Sequence, residues 1–314
     1  LEGVKSVIYW GEMNPGSPVC FIDYYIIGEG NMAVKLVTDS TSYIDETTKK
    51  DLDIQVVNLS VHFPDMSFDE VSVEYDDFYQ KIERDNVIPT SSQPTIGQVC
   101  DVFRRIVANG DDVLGIFISA QMSGTCESAL TARDIILEEY PQARIEVMDS
   151  KTNCMALGLQ VVEAARAAQA GKSMEEVIET AKHVRNRVRF YFVPATLEYL
   201  IKGGRIGGAA AIIGSMLQIR PILYVNDGVT DIFAKVRGTR KAIEKIFAQL
   251  QKDAKAYGLK HLLVHHINDE KQGQELAANL SRLYNREVSA LSIGPVIGAH
   301  VGPGAVGVVY CTER

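Results

Sequence analysis

Two places in the first half of the chain join hydroxyl groups to the start of a helix, a combination suited to holding an anion. In one, Ser119 closes an apolar run over 112–119 and Ser123-Gly124-Thr125 opens a helical pattern. Ser123 reads as the N-cap, and Gly124 lets a ligand approach the backbone closely. In the other, Thr90-Ser91-Ser92-Gln93-Pro94 leads into a helical stretch over 95–108, with Pro94 beside a favoured early position. Taken singly, each serine reads first as an ordinary helix cap. Two such junctions where strands give way to helices are the usual seat of a ligand in an α/β fold. Further on, Lys202-Gly203-Gly204-Arg205 sets two cations on a flexible hinge. They read either as the basic end of a helix or, for Arg205, as a bidentate partner for an oxyanion.

Other chemistries find less support. His62, His183 and His261 stand apart, His265 and His266 end a strand pattern, and His300 lies in a Gly/Pro-rich stretch. No set of further ligands accompanies them, so neither a metal nor another cofactor is expected. His265 reads as a satisfied structural histidine. The five cysteines are scattered without a C-x-x-C pair, which removes the usual zinc and redox motifs and points to a reduced, cytoplasmic setting. The net charge of −8 argues against nucleic acid and leaves room only for transient contact with a membrane surface. No run approaches the length of a membrane span.

The elements that must position these groups follow from periodicity. In this chain of 314 residues, 46% hydrophobic and 23% charged, strand and helix patterns alternate from residue 33 onward, the mark of a parallel α/β layer. Strands are expected over 34–39, 54–63, 112–119 and 144–149, and helices over 75–85, 95–108 and 123–140. The texture then changes. Helices over 153–170 and 173–185 precede a strand over 189–194 and a Gly-rich loop over 202–208. Strands over 219–225 and 230–237 flank Asn226-Asp227-Gly228 as a hairpin. A helix over 239–257, strand 261–267, helix 269–284 and strands 286–293 and 305–311 complete the pattern. Two α/β lobes are expected, 32–150 with a parallel sheet and 151–314 mixed. Residues 1–31 hold the only tryptophan, Trp10, and a Gly/Pro-rich stretch. They read as an extension before a natural start at Met32, with a native N-terminal arm as the other reading.

An ordered set of segments resembles the DegV family of bacterial fatty-acid-binding proteins. It runs through Val37-Thr38-Asp39-Ser40-Thr41-Ser42, the loop over 89–94, Ser119-Ala120-Gln121-Met122-Ser123-Gly124-Thr125, Asp149-Ser150-Lys151, and Lys202-Gly203-Gly204-Arg205. Arg220-Pro221-Ile222-Leu223 and the stretch over 293–304, with Gly298-Ala299-His300-Val301-Gly302-Pro303-Gly304, complete it. No piece is decisive alone. In order and spacing they span nearly everything after Met32.

The resemblance implies a long-chain fatty acid buried between the two lobes, presented to a separate ATP-dependent kinase that makes acyl-phosphate. The chain would then be the lipid-binding subunit and not the catalyst. Ser91 and Ser123 are the strongest candidates for the carboxylate, with Thr90, Ser119, Gly124, His266 and His300 completing the set. This chain has Thr-Ser-Ser-Gln-Pro where the family pattern has Thr-Thr-Ser-Gln-Pro, which leaves the register between Thr90 and Ser91 open. Arg205 would meet the head group or the phosphate made on it. Ile212 and Met216 would wall the acyl tunnel, or else belong to ordinary core. The rival reading is a serine-dependent hydrolase or phosphotransferase acting on a small anion. The segment around Ser123 is neither G-x-S-x-G nor a phosphate loop, and no base or orienting acid is evident in sequence. A lipid-sensing regulator is a third reading, without a recognisable DNA-binding helix pair.

Overall fold

Four strands carry the first layer: β1 (Val34–Asp39), β2 (Gln55–Val57), β6 (Asp112–Phe117) and β7 (Ile145–Asp149), in the order β2-β1-β6-β7 with every pairing parallel. The computed structural model describes residues 33–212 and 219–314, so the expected extension over 1–31 lies outside the described residues. The described residues form one compact unit. β6 is buried at all six positions, which is what a strand covered by helices on both faces requires. The helices of this layer are α1 (Glu46–Asp51), α2 (Tyr75–Asp85), α3 (Ile96–Ala108) and α4 (Thr125–Glu139). A capping box fixes the start of α3: Thr95 accepts from the Gln98 N–H while the Gln98 side chain takes the Thr95 N–H.

The strand expected over 54–63 is two strands in different sheets. β2 ends at Val57, and β3 (Ser60–His62) belongs to a small antiparallel sheet with β4 (Ser67–Asp69) and β5 (Thr90–Ser92), in the order β4-β3-β5. The break is tertiary in origin. At the turn, the Leu59 N–H donates to Ser40 Oγ at 3.1 Å and the Leu59 carbonyl accepts from Glu70 N at 2.9 Å. The segment read as a loop before α3 is therefore partly a strand, and it carries Thr90, Ser91 and Ser92.

The second layer is a six-stranded mixed sheet, ordered β10-β9-β8-β13-β11-β12. Its strands are β8 (Val188–Val193), β9 (Arg220–Asn226), β10 (Val229–Val236), β11 (His261–Ile267), β12 (Ala290–Ser292) and β13 (Ala305–Cys311). All its ladders are antiparallel except β11–β12. Its helices are α5 (Cys154–Gln169), α6 (Met174–Arg187), α7 (Glu198–Lys202), α8 (Thr239–Tyr257), α9 (Glu270–Tyr284) and α10 (Pro295–Val301). The stretch over 293–304 yields the short α10, with Pro295 in its first turn and Gly302, at φ +84°, just past its end.

α5 joins the layers. It packs on β1 and β6 on one side and on β8 and β13 on the other, and most of its residues are buried. Gly158 makes the close approach possible, since a Cβ there would lie 2.6 Å from the Ser42 carbonyl oxygen. Leu36 and Leu114 from the first layer and Phe190 and Val309 from the second share one continuous core. Two further cores lie on the outer faces, one under α3 and α4 and one under α8 and α9.

Candidate ligand-binding site

Between the sheets lies a cavity of about 890 Å³ with its mouth included, narrow enough that the centre of a water molecule fits in about 90 Å³ of it. Its walls come from β8, β11, β13 and α10 of the second layer and from the loops after β5 and β6 of the first. Ile118, Phe190, Phe192, Val225, Ile293 and Ile297 make much of the wall apolar. Ser91, Ser123, Gly124, Arg205 and His300 also line it.

One ring of contacts gathers those polar residues. Ser91 Oγ lies 2.8 Å from His300 Nε2. The Nδ1 edge of the His300 ring lies against Gly203, where a Cβ would fall 2.3 Å from Nδ1. Arg205 donates to the Gly203 carbonyl at 2.7 Å and, through Nε, to the Met122 carbonyl at 3.0 Å. Ser123 and Gly124 follow Met122. A Cβ on Gly124 would lie 2.4 Å from Gln93 Oε1, and Gln93 stands two residues after Ser91, which closes the ring.

The two hydroxyl junctions are thus sewn together by Gln93, whose amide also donates to Ser128 Oγ at 3.1 Å. Sequence reasoning missed this residue. The signal was an amide inside a hydroxyl-rich turn. Gly124 provides close approach, though to Gln93 rather than directly to a ligand.

Electrostatics keep the site receptive to an anion. Burial, reinforced by the charge of Arg205, pushes the His300 imidazole down to about 4, so it is neutral at pH 7. A neutral imidazole with its proton on Nε2 donates to Ser91 Oγ and leaves the serine proton free to reach a carboxylate. Nδ1 has no hydrogen-bond partner among the described residues. Ser123 is one residue earlier than its expected N-cap position, since α4 begins at Thr125 with Gly124 as cap. Ser123 Oγ accepts from the Thr125 N–H at 3.3 Å and sits 2.9 Å from Thr125 Oγ1.

Several expected site residues lie elsewhere. Ser119 is fully buried and off the cavity wall: its hydroxyl donates to the Gly228 carbonyl at 2.8 Å and accepts from the Gln121 N–H at 3.2 Å. Thr90 is exposed, pairs with His62, and points to the opposite face of β5 from Ser91. His266 faces α9, where its ring lies against Gly273. Strand alternation turns His265 to the cavity instead. His265 accepts from the Met155 N–H at 3.2 Å and bonds the Leu291 carbonyl at 3.1 Å. It is a satisfied structural histidine, and burial pushes it down to about 4. Ile212 is buried in the core and is not among the described residues of the wall. Met216 lies outside the described residues. Among the described residues no group of His, Cys, Asp or Glu could hold a metal, and no helix is long and apolar enough to cross a membrane.

The model of the DegV family, described as uncharacterised proteins, matches residues 33–313. The chain belongs to the DegV family. A DegV domain-containing protein of Clostridium acetobutylicum is 46% identical over 283 residues, covering 90% of this chain and 99% of that protein. Two solved structures superpose well. One is a DegV family protein from Thermus thermophilus, described by its fatty acid binding, with a TM-score of 0.81 at 30% identity over 90% of this chain and all of the other. The second, a stearic acid-binding protein from Eubacterium ventriosum, has a TM-score of 0.81 at 27% identity over 89% of this chain and 98% of the other. The DegV fold of a parallel-sheet layer and a mixed-sheet layer is the fold described above.

Proposed function

We propose that this DegV protein is a carrier for a long-chain fatty acid, held between lobes 32–150 and 151–314. The acyl tail fills the cavity, and the carboxylate sits against Ser91, Ser123 and Arg205, with His300 orienting Ser91. The observation that carries this reading is the combination of extended apolar walls with one gathered polar cluster. The fatty acids bound by the structural relatives have that same division.

The energetics fit. Burying methylenes at ~0.8 kcal/mol each gives a long tail on the order of 10 kcal/mol, against which association costs must be set. A buried carboxylate without partners would cancel much of that. Two hydroxyls and a guanidinium remove the penalty, because hydrogen bonds to an ionised group are the stronger kind.

The finer role is presentation. Arg205 is exposed at the cavity, so the carboxylate would lie near the surface. A separate ATP-dependent kinase could transfer the γ-phosphoryl group to it, giving acyl-phosphate and ADP. The protein would be the lipid-binding subunit, working in the cytoplasm. The described cysteines, Cys100, Cys126, Cys154 and Cys311, are all buried and unpaired, which suits a reducing compartment.

One contact favours the hydrolase reading: Ser91 and His300 stand at nucleophile–base distance. The rest of the pair argues against it. No acid orients Nδ1 among the described residues, and an imidazole pushed down to about 4 is a poor base at neutral pH.

Ser123→Ala tests the carrier reading. It should weaken fatty-acid binding by ~1–3 kcal/mol, roughly 5- to 150-fold, by leaving a carboxylate oxygen without its donor. Unchanged affinity in a folded variant would remove Ser123 from the site.

A further inference from the structure

The hairpin β9–β10 is built as a flap. β10 is the outer edge strand, and β9 is registered to β8 only at Tyr191–Tyr224 and Phe192–Leu223 among the described residues. Its base is packed by rings, with Tyr191 and Phe233 centroids 4.6 Å apart and Tyr191 and Tyr224 stacked at 6.0 Å. Toward the tip, Val225 and Thr230 line the cavity. The tip itself reaches across to the other layer. Gly228 accepts from Ser119 Oγ at 2.8 Å, the Asp227 carbonyl accepts from Gln121 Nε2 at 2.7 Å, and the Asp227 carboxylate pairs with Lys151. Gly228 has φ +92°, and a Cβ there would lie 2.6 Å from Ser119 Oγ. The tip therefore fits closely against the loop it meets.

We infer that this tip is a latch and that the hairpin is a gate through which the ligand enters and leaves. The inference rests on the fatty-acid reading of the cavity. The latch is anchored by the loop over 119–124, which also carries Ser123, so closing the hairpin and completing the polar cluster occur together. Gln121 and Lys151 are exposed and lie off the cavity wall. Their bonds hold the closed form whether or not a ligand is inside. Loosening them destabilises the closed empty and closed loaded forms equally. Exchange then quickens in both directions while the equilibrium stays where it was.

The test is stopped-flow exchange of a fluorescent polyunsaturated long-chain fatty acid on the full chain and on Gln121→Ala/Lys151→Ala. Association and dissociation rates should both rise about tenfold, which corresponds to ~1.4 kcal/mol, with Kd within about twofold of the parent. Unchanged rates would overturn the latch. A rise in dissociation alone, with a weaker Kd, would also overturn it, because the two residues would then support binding and not gating. Both substitutions are on exposed side chains, so folding is not at risk. A parent protein that binds no fatty acid would instead overturn the function proposed for the cavity, and the gate with it.

Discussion

Glu70→Gln should make the protein more stable at pH 8 by on the order of 3 kcal/mol and should flatten its stability profile between about pH 4.5 and 7. Glu70 is only 1% exposed. One of its oxygens accepts from the Tyr43 hydroxyl at 2.8 Å and from the Val296 N–H, at the start of α10, at 3.0 Å. Burial pushes the carboxyl up to about 7, although hydrogen bonds from Tyr43 and Val296 oppose the shift. A carboxyl raised in the folded state favours its protonated form there. Its stabilising contribution is complete below the unfolded value near 4.5 and is lost as pH rises through about 7. The gap between 4.5 and about 7, at ~1.4 kcal/mol for each tenfold change in proton affinity, gives the figure above. Asp39, raised to about 6 by burial, adds a smaller effect of the same sign. The amide of Gln keeps an acceptor for Tyr43 and Val296 and carries no charge to desolvate. Urea unfolding across pH 5 to 9 checks this. Parallel profiles for the parent and the variant would show that Glu70 does not titrate in this range.

The second large effect is expected at the cavity wall. Phe192→Ala should cost the empty protein ~3–5 kcal/mol, the usual range for removing a buried ring. Phe192 is 6% exposed and its ring lies 5.3 Å from that of Phe190. Because Phe192 lines the cavity, the space it vacates can be filled by ligand. The loss should shrink when a longer or bulkier acyl chain is present, and chain preference should shift in that direction. Thermal unfolding with a series of fatty acids reads both effects. A variant that is destabilised but keeps the parent's chain preference would mean that Phe192 does not bound the tail.

Some of this architecture was legible in the sequence because local signals agreed with the tertiary outcome. The apolar run around Val113-Leu114-Gly115-Ile116-Phe117 read as a strand and is one, buried along its length, and Asn226-Asp227-Gly228 carried the positive-φ residues of a tight turn. Where tertiary pairing decided, the sequence was silent. The run over 54–63 mixes apolar residues with Gln55, Asn58, Ser60 and His62 in a strand-like pattern, yet Leu59 is captured by Ser40 and Glu70, and its two halves join different sheets.

Side-chain direction was the main loss at the site. His265 and His266 are adjacent on β11, and nothing local says which of them faces the cavity. Thr90 and Ser91 pose the same parity problem on β5. Ser119 looked like a carboxylate ligand because it has the right chemistry at a strand end, but its partner is Gly228, distant in sequence. α10 could have been found from Pro295 and Gly302, which mark its two ends.

The most direct test of the central claim is native mass spectrometry of the purified protein, followed by organic extraction and identification of the bound lipid. One long-chain fatty acid per chain, released as the free acid, is the expected result. A protein that stays lipid-free after incubation with saturated and unsaturated fatty acids of several lengths would contradict it and return the Ser91–His300 pair to consideration as a catalytic dyad.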